Sequence, residues 1–313
     1  MIKIAEPDEN RNYVAVTPEG ESSSLQIIDG GLVEALFKTH GAVLFRGFHF
    51  DLEMYGKFTD QFCTSSVANL SSGRRSVDAK RNIQTVNLGL DAFPLHPELA
   101  RTPWKPDVCW FACVKPPVSK GETTICDGAQ VVKNMPPELR ESLSRQRLRY
   151  TRLTSQQDRE TWLGNTEPGD WLLAYPPAPN PYEYFRKDDQ VYCTFTRPML
   201  HKTMFQDELA FGNFLIFSRH YNNDRDFPVF ENGDEVPDEL IDEINDLCRE
   251  ITVAIKWVKN DIVMLDNSRF MHGRNSIDNL KERMIIARFG YLTFAQADAE
   301  EIGDAPWRKD GFL

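Results

Sequence analysis

From Asn82 onward the apolar residues come in short runs that prolines keep cutting, and this limits the fold more than any other feature of the 313-residue sequence. Proline lacks a backbone donor, so it breaks both helices and central sheet ladders. The runs that survive are strand-sized. They include VCWFACV within 108–114, Ile251 to Val258, Asp261 to Leu265 and Arg283 to Leu292, each rich in β-branched or aromatic residues. Ala42 to Phe48 is an earlier run of the same kind. Helical periodicity is confined to outlying stretches: Leu25 to Thr39, Leu52 to Cys63, Pro136 to Leu148, Phe205 to Tyr221 and Pro237 to Ile251. Many short strands with a few outlying helices predict a mainly β (α+β) chain, a sandwich or jelly roll with flanking helices. A doubly wound sheet would need regular βα alternation and usually a glycine-rich phosphate loop, and neither is visible.

Charge narrows the partners. The formal net charge is −11, which argues against a nucleic-acid partner. No stretch approaches the length of an apolar membrane span, and the first residues lack the apolar core of a secretory leader. Six cysteines occur with no C-x-x-C pair, which suits a reducing, cytoplasmic setting. Cys109 and Cys113 share strand parity, so both are expected on one buried face.

The chemistry is concentrated in two segments. Phe93-Pro94-Leu95-His96-Pro97-Glu98 contains H-x-E. On an extended backbone, residues two apart point the same way, so one imidazole and one carboxylate can reach one ion. Far downstream, Asp266-Asn267-Ser268-Arg269-Phe270-Met271-His272 supplies another histidine after a strand. Two His and one carboxylate on one face of an octahedron leave open positions, the arrangement of non-haem Fe(II) oxygenases. H-x-E by itself is a weak signal. His40, His49, His201 and His220 lie in no ligand motif and are expected to be structural or exposed.

Four blocks supply the context, and their order resembles the taurine dioxygenase superfamily of Fe(II)/2-oxoglutarate oxygenases. They are GAVLFRGF at 41–48, LHPELA with the Gly121-Glu122-Thr123 turn in 95–143, WVKNDIVMLDNSRFMHGR at 257–274, and ERMIIARFGYL at 282–292. Residues 150 to 250 have no clear counterpart. The resemblance implies a double-stranded β-helix core in a single domain over 1–313, with a helical insertion at roughly 150–250. It implies His96, Glu98 and His272 as catalytic metal ligands for Fe(II), with 2-oxoglutarate and O2 as co-substrates. Thr123 and Arg283 match the residues that hold the far carboxylate of 2-oxoglutarate, and Arg288 resembles a second arginine for cosubstrate or substrate. Gln84, Asn87 and Arg274 flank the motifs and are further candidates for substrate contact. Glu in place of the usual Asp is similar to the clavaminate synthase-like branch, which includes amino-acid hydroxylases. Because that carboxylate is present, hydroxylation or desaturation is favoured over halogenation.

Two departures from the family pattern bear on the site. Asn260-Asp261 stands where Gly-Asp is usual. Arg283 and Arg288 are five apart, an odd offset that on a regular strand sends them to opposite faces. Either a bulge intervenes or only one enters the pocket, and Arg283 ranks first. The expected substrate is a small polar molecule, an amino acid or biosynthetic intermediate. Three alternatives stay open on sequence alone: an Fe(II) oxygenase that does not use 2-oxoglutarate, a non-catalytic jelly-roll binding module, and a zinc enzyme with the same ligands.

Overall fold

The computed structural model describes residues 1–20, 23–279, 283–296 and 298–312. Glu282, the first residue of the fourth block, lies outside them. Two sheets form the centre. The larger has nine strands, ordered Ile2–Ala5, Val14–Pro18, Ala42–Phe45, Ile262–Asp266, Val108–Lys115, Met284–Leu292, Ile83–Thr85 and Ser76–Asp78, with Cys63–Val67 also paired to Met284–Leu292. The smaller has four: Val253–Ile255, Thr123–Asp127, Phe270–Arg274 and Phe93–His96. The chain passes back and forth between the sheets, giving the jelly roll expected from the spacing of its runs.

Val108–Lys115 shows why its sequence is apolar throughout. It pairs with Ile262–Asp266 on one side and Met284–Leu292 on the other, both antiparallel. Its inward residues Cys109, Phe111 and Cys113 join Ile125, Val263 and Phe289 in the interior. Its outward residues Trp110 and Ala112 pack under Phe37, Tyr55 and Phe58. Antiparallel strands usually alternate because one face is wet. Here the helices Gly30–His40 and Leu52–Asp60 cover that face, so both sides are buried. Each fully buried Phe or Ile adds about 1.5–3 kcal/mol. The shared face expected for Cys109 and Cys113 is present, with both thiols fully buried.

The helices at the start follow their caps. Leu25–Ile27 is a single tight turn, and the helix begins at Gly30 because Asp29 accepts from the Leu32 amide at 2.8 Å. Two expectations need correction. The stretch 205–221 is not one helix: Leu209–Phe211 pairs with Leu200–Lys202, and helical geometry is limited to Leu215–Phe217 and a wide turn over Ser218–Asn222. Gly212 and Asn213 divide it, with Asn213 Oδ1 capping the Leu215 amide at 3.1 Å. Nor is the 150–250 insertion purely helical. It contains a four-stranded sheet of Glu183–Lys187, Gln190–Pro198, Arg147–Leu153 and Val229–Phe230, alongside helices Gln156–Leu163, Asp170–Ala174 and Asp238–Ile251. RLRYTRL and QVYCTFTRP carry the Thr, Tyr and Val that favour strands, and Tyr150 stacks on Phe195 across the pair at 4.9 Å. Among the described residues, no helix is long and apolar enough to cross a membrane.

Candidate active site

The smaller sheet brings the two motif histidines together. Phe270–Arg274 pairs antiparallel with Phe93–His96, placing His272 directly opposite His96, with ring centroids 4.6 Å apart. The strands approach so closely that a Cβ on Gly273 would sit 2.6 Å from the Phe93 carbonyl oxygen, so only glycine fits beside His272. After His96 the chain leaves the ladder. Asn267 fixes the departing loop: its Oδ1 accepts from the Glu98 amide at 2.8 Å, and its Nδ2 donates to the carbonyls of Glu98 and Pro106. The Asp-Asn pair that precedes His272 in sequence thereby positions Glu98. One donor atom each from His96, Glu98 and His272 lies within 4.8 Å of the others.

Their protonation suits a metal. The Pro94 carbonyl lies 2.8 Å from His96 Nδ1, so Nδ1 donates there and Nε2 is left with its lone pair. Burial, reinforced by neighbouring His272, pushes the His96 imidazolium down to about 3, so the ring is neutral at physiological pH. Burial alone would raise the Glu98 carboxyl. The Arg74 guanidinium and the two imidazoles outweigh it and hold the group well below the usual carboxylate range. A neutral imidazole and an ionised carboxylate are the forms that bind metals. The buried His-Glu-His donor set therefore fits Fe(II), with directions left open.

A cavity of about 230 Å³ extends from these donors to Thr123 and Arg283. Thr123 Oγ1 accepts from the Trp257 indole at 3.0 Å, which leaves its own proton free to donate. Arg283 is 8% exposed, and its Nε donates to the Gly121 carbonyl at 2.8 Å. Burial and nearby Arg274 lower its pKa to about 10, still charged at neutral pH. Arg283 makes no ion pair with a carboxylate among the described residues. Behind this end, Asp261 holds the turn. It accepts from the Val258 amide at 2.8 Å and from Arg46 at 3.0 and 2.6 Å, tying the third block to the first. Asn260 has φ +69°, which explains why glycine is usual there and why Asn, tolerant of that region, can replace it.

Three of the remaining candidates do other work. Arg288 is not in the cavity. Met284–Leu292 alternates, so Arg283, Ile285, Ala287 and Phe289 share the inward side while Arg288 points outward. There its NH1 donates to Thr59 Oγ1 at 2.7 Å and Asp60 Oδ1 at 2.6 Å, bracing helix Leu52–Asp60. Gln84 does not line the cavity either; its Oε1 accepts from the Asn69 amide at 3.0 Å. Arg274 reaches the wall, but its guanidinium is spent on the carbonyls of Asn87, Gly89 and Asp91, and it stacks 4.7 Å from the Phe93 ring. Asn87 lines the cavity. Two residues went unnoticed in the sequence. Arg74 NH2 sits 3.1 Å from Glu98 Oε2, and Asn69 Nδ2 donates to Glu98 Oε1. They lie in an irregular loop 24 and 29 residues before Glu98 and match no motif; the one available signal was a polar, arginine-bearing loop just upstream of H-x-E.

Comparison with known proteins agrees with this geometry. Residues 18–288 match the Taurine catabolism dioxygenase TauD, TfdA family. The chain belongs to that family. It is an Fe(II)/2-oxoglutarate-dependent dioxygenase, with O2 as the second co-substrate. A curated relative, the dapdiamide synthesis protein DdaC of Enterobacter agglomerans, is 21% identical over 278 residues, covering 79% of this chain and 81% of that one. Among solved structures, PvcB of Pseudomonas aeruginosa superposes with a TM-score of 0.60 at 14% identity, covering 95% and 96% of the two chains. AAD-2, solved with Mn(II) and N-oxalylglycine, gives 0.58 at 13% identity, covering 95% and 99%. At these identities the structural matches establish that the dioxygenase shares their fold.

Proposed function

We propose that His96, Glu98 and His272 hold the iron and that Arg283 and Thr123 hold the far carboxylate of 2-oxoglutarate, in a single domain acting on a C–H bond of a small polar biosynthetic intermediate. The observation that carries this is the joining of both ends in one cavity. Three buried donors converge at one end, and a buried arginine with no carboxylate partner among the described residues waits beside a free hydroxyl proton at the other. Iron with 2-oxoglutarate and O2 supplies the oxidant for hydroxylation or desaturation.

The chain's own residues do the positioning. The guanidinium of Arg283 offers a planar pair of donors to a carboxylate, and Thr123 adds a third. Trp257 keeps the Thr123 hydroxyl turned toward the cavity. Phe111, 5.0 Å from the His272 ring, walls off the donors from below. Phe93 and Phe217 form an apolar wall beside His96, which limits water near the reacting carbon. The two relatives with stated pathways support a biosynthetic role: DdaC belongs to dapdiamide synthesis, and PvcB is described as acting in an isonitrile synthetic pathway. The acidic chain argues against a nucleic-acid partner, and the six free cysteines suit a reducing, cytoplasmic setting.

The test is anaerobic addition of Fe(II) and 2-oxoglutarate to the metal-free protein, watching for the weak visible charge-transfer band of a chelate. The band is expected in the wild type and absent in His272→Ala. Metal binding without the band would favour an oxygenase that does not use 2-oxoglutarate, or a zinc site. No metal binding would leave a binding module.

A further inference from the structure

The cavity wall reverses the charge of the chain. In a protein of net charge −11, four arginines, Arg74, Arg101, Arg274 and Arg283, line it against the single carboxylate of Glu98. A dication at the triad and a dianionic 2-oxoglutarate cancel each other and leave that excess in place. Two of the four are already committed. Arg274 is spent on three backbone carbonyls, and Arg283 is assigned to the cosubstrate. Arg74 and Arg101 remain.

Arg74 has donors to spare. Its side chain is 7% exposed, packed 5.0 Å from the Phe289 ring, with NH2 on Glu98. Its Nε and NH1 are buried and have no acceptor. Leaving buried donors without an acceptor is unfavourable, so a ligand that supplies one is favoured here. The only charge beside it is a carboxylate it would share with the metal. Arg101 stands at the mouth, exposed, 5.7 Å above the face of Phe214, with no ion pair among the described residues. Asn87 lines the same cavity, and its buried Oδ1 also lacks a partner. Asn87 can accept from a neutral N–H. For a free ammonium the wall offers no unshared carboxylate among the described residues, and the arginine excess repels it.

We propose that the substrate is a carboxylate whose nitrogen is acylated, an N-acyl amino acid rather than a zwitterion. Its carboxylate docks on Arg74 and Arg101, its amide N–H on Asn87, and its hydrocarbon part against Phe93, Phe214 and Phe217. This rests on the assignment of Arg283 to 2-oxoglutarate. Arg74 also joins substrate to metal ligand, because one guanidinium then touches both the substrate anion and Glu98.

Three probes of one shape separate the charges: N-acetylphenylalanine, its uncharged carboxamide, and free phenylalanine. Their affinities are measured by calorimetry on protein loaded with Mn(II) and N-oxalylglycine, and again on metal-free protein. The N-acyl acid is expected to bind about tenfold or more tighter than either other probe. Arg74→Ala is expected to erase the preference for acid over carboxamide, read on the metal-free protein so that loss of the Arg74 contact to Glu98 does not enter through the metal. Arg74→Lys is expected to restore part of it, and Arg101→Ala to reduce it less. Equal binding of acid and carboxamide, tightest binding of phenylalanine, or no binding of the acid at millimolar concentration each overturns the proposal. If Mn(II) and N-oxalylglycine themselves fail to bind the wild type, the cosubstrate assignment fails instead. The ranking on metal-free protein then still decides the substrate class, since Arg101 and Asn87 do not depend on the metal.

Discussion

Arg283 and Arg288 are anchored five residues apart at one strand and live in different chemistry. Arg283 faces inward, 8% exposed, with one backbone carbonyl and, among the described residues, no carboxylate; Arg288 faces outward, 5% exposed, with Thr59 and Asp60 as partners. Both are buried cations, yet only one has its charge answered from within the chain. A buried charge is normally paired. The unanswered one marks the candidate ligand end of the cavity, and the answered one marks where the fold is braced. The same contrast holds between the cavity loop and the outer helix. Arg74 keeps unmet donors beside the cavity, whereas Arg81, near Arg288, is ringed by Glu53, Asp60 and Asp78.

Substitutions can break this contrast. The largest effect is expected from Arg283→Ala, which should weaken 2-oxoglutarate binding by about 100-fold or more, as loss of one partner of a desolvated charge pair does. Anaerobic titration reads it, and the melting temperature should hold or rise, because an unpaired buried charge is gone. Arg288→Ala should do the reverse. Unfolding in denaturant should show a loss of about 1–3 kcal/mol as Thr59 and Asp60 lose their donor, with 2-oxoglutarate affinity unchanged. If Arg288→Ala weakens cosubstrate binding as well, the two faces are not separate. Trp257→Phe sharpens the inner face. It keeps a ring but removes the donor to Thr123, so 2-oxoglutarate affinity should fall by about 2- to 10-fold with little change in stability.

The smallest effect lies in the insertion, away from both faces. Burial would raise the Asp158 carboxyl, but Arg152 and Ser155 outweigh it and hold the group at about 2. A depressed carboxylate stabilises the fold above its ordinary value of 3.8, and the benefit is lost as pH falls through about 2. Hydrogen exchange in Gln156–Leu163 should therefore quicken in acid more in the wild type than in Asp158→Asn. The change should be modest, because the pair is partly exposed.

Much of the site was readable because the chemistry sits on strands. Parity placed Cys109 with Cys113 and raised the possibility that Arg283 and Arg288 part company, whereas Glu98 lies past the end of its strand and is set by Asn267. Residue type at the turns worked equally well: Asn260 adopts the positive φ that its usual glycine would. Reading failed where no period exists. Arg74 and Asn69 lie on an irregular loop, and nothing local says that their side chains reach Glu98. The insertion misled because its strands alternate with short helices whose lengths overlap those of loops. The stretch 205–221 misled because Gly212-Asn213 stops a pattern that hydrophobic spacing alone would continue.

The sequence by itself determined the jelly-roll class and the parity of the arginine strand, since each follows from a fixed local period, and the order of its motif blocks pointed to His96, Glu98 and His272 as candidate metal donors. Only the tertiary structure decided which face of that strand turns toward the cavity, that Asn267 holds the Glu98 loop across 169 residues, and which arginines keep unanswered charge. Those depend on what a side chain meets, and a charge is paired or unpaired only when distant segments have come together.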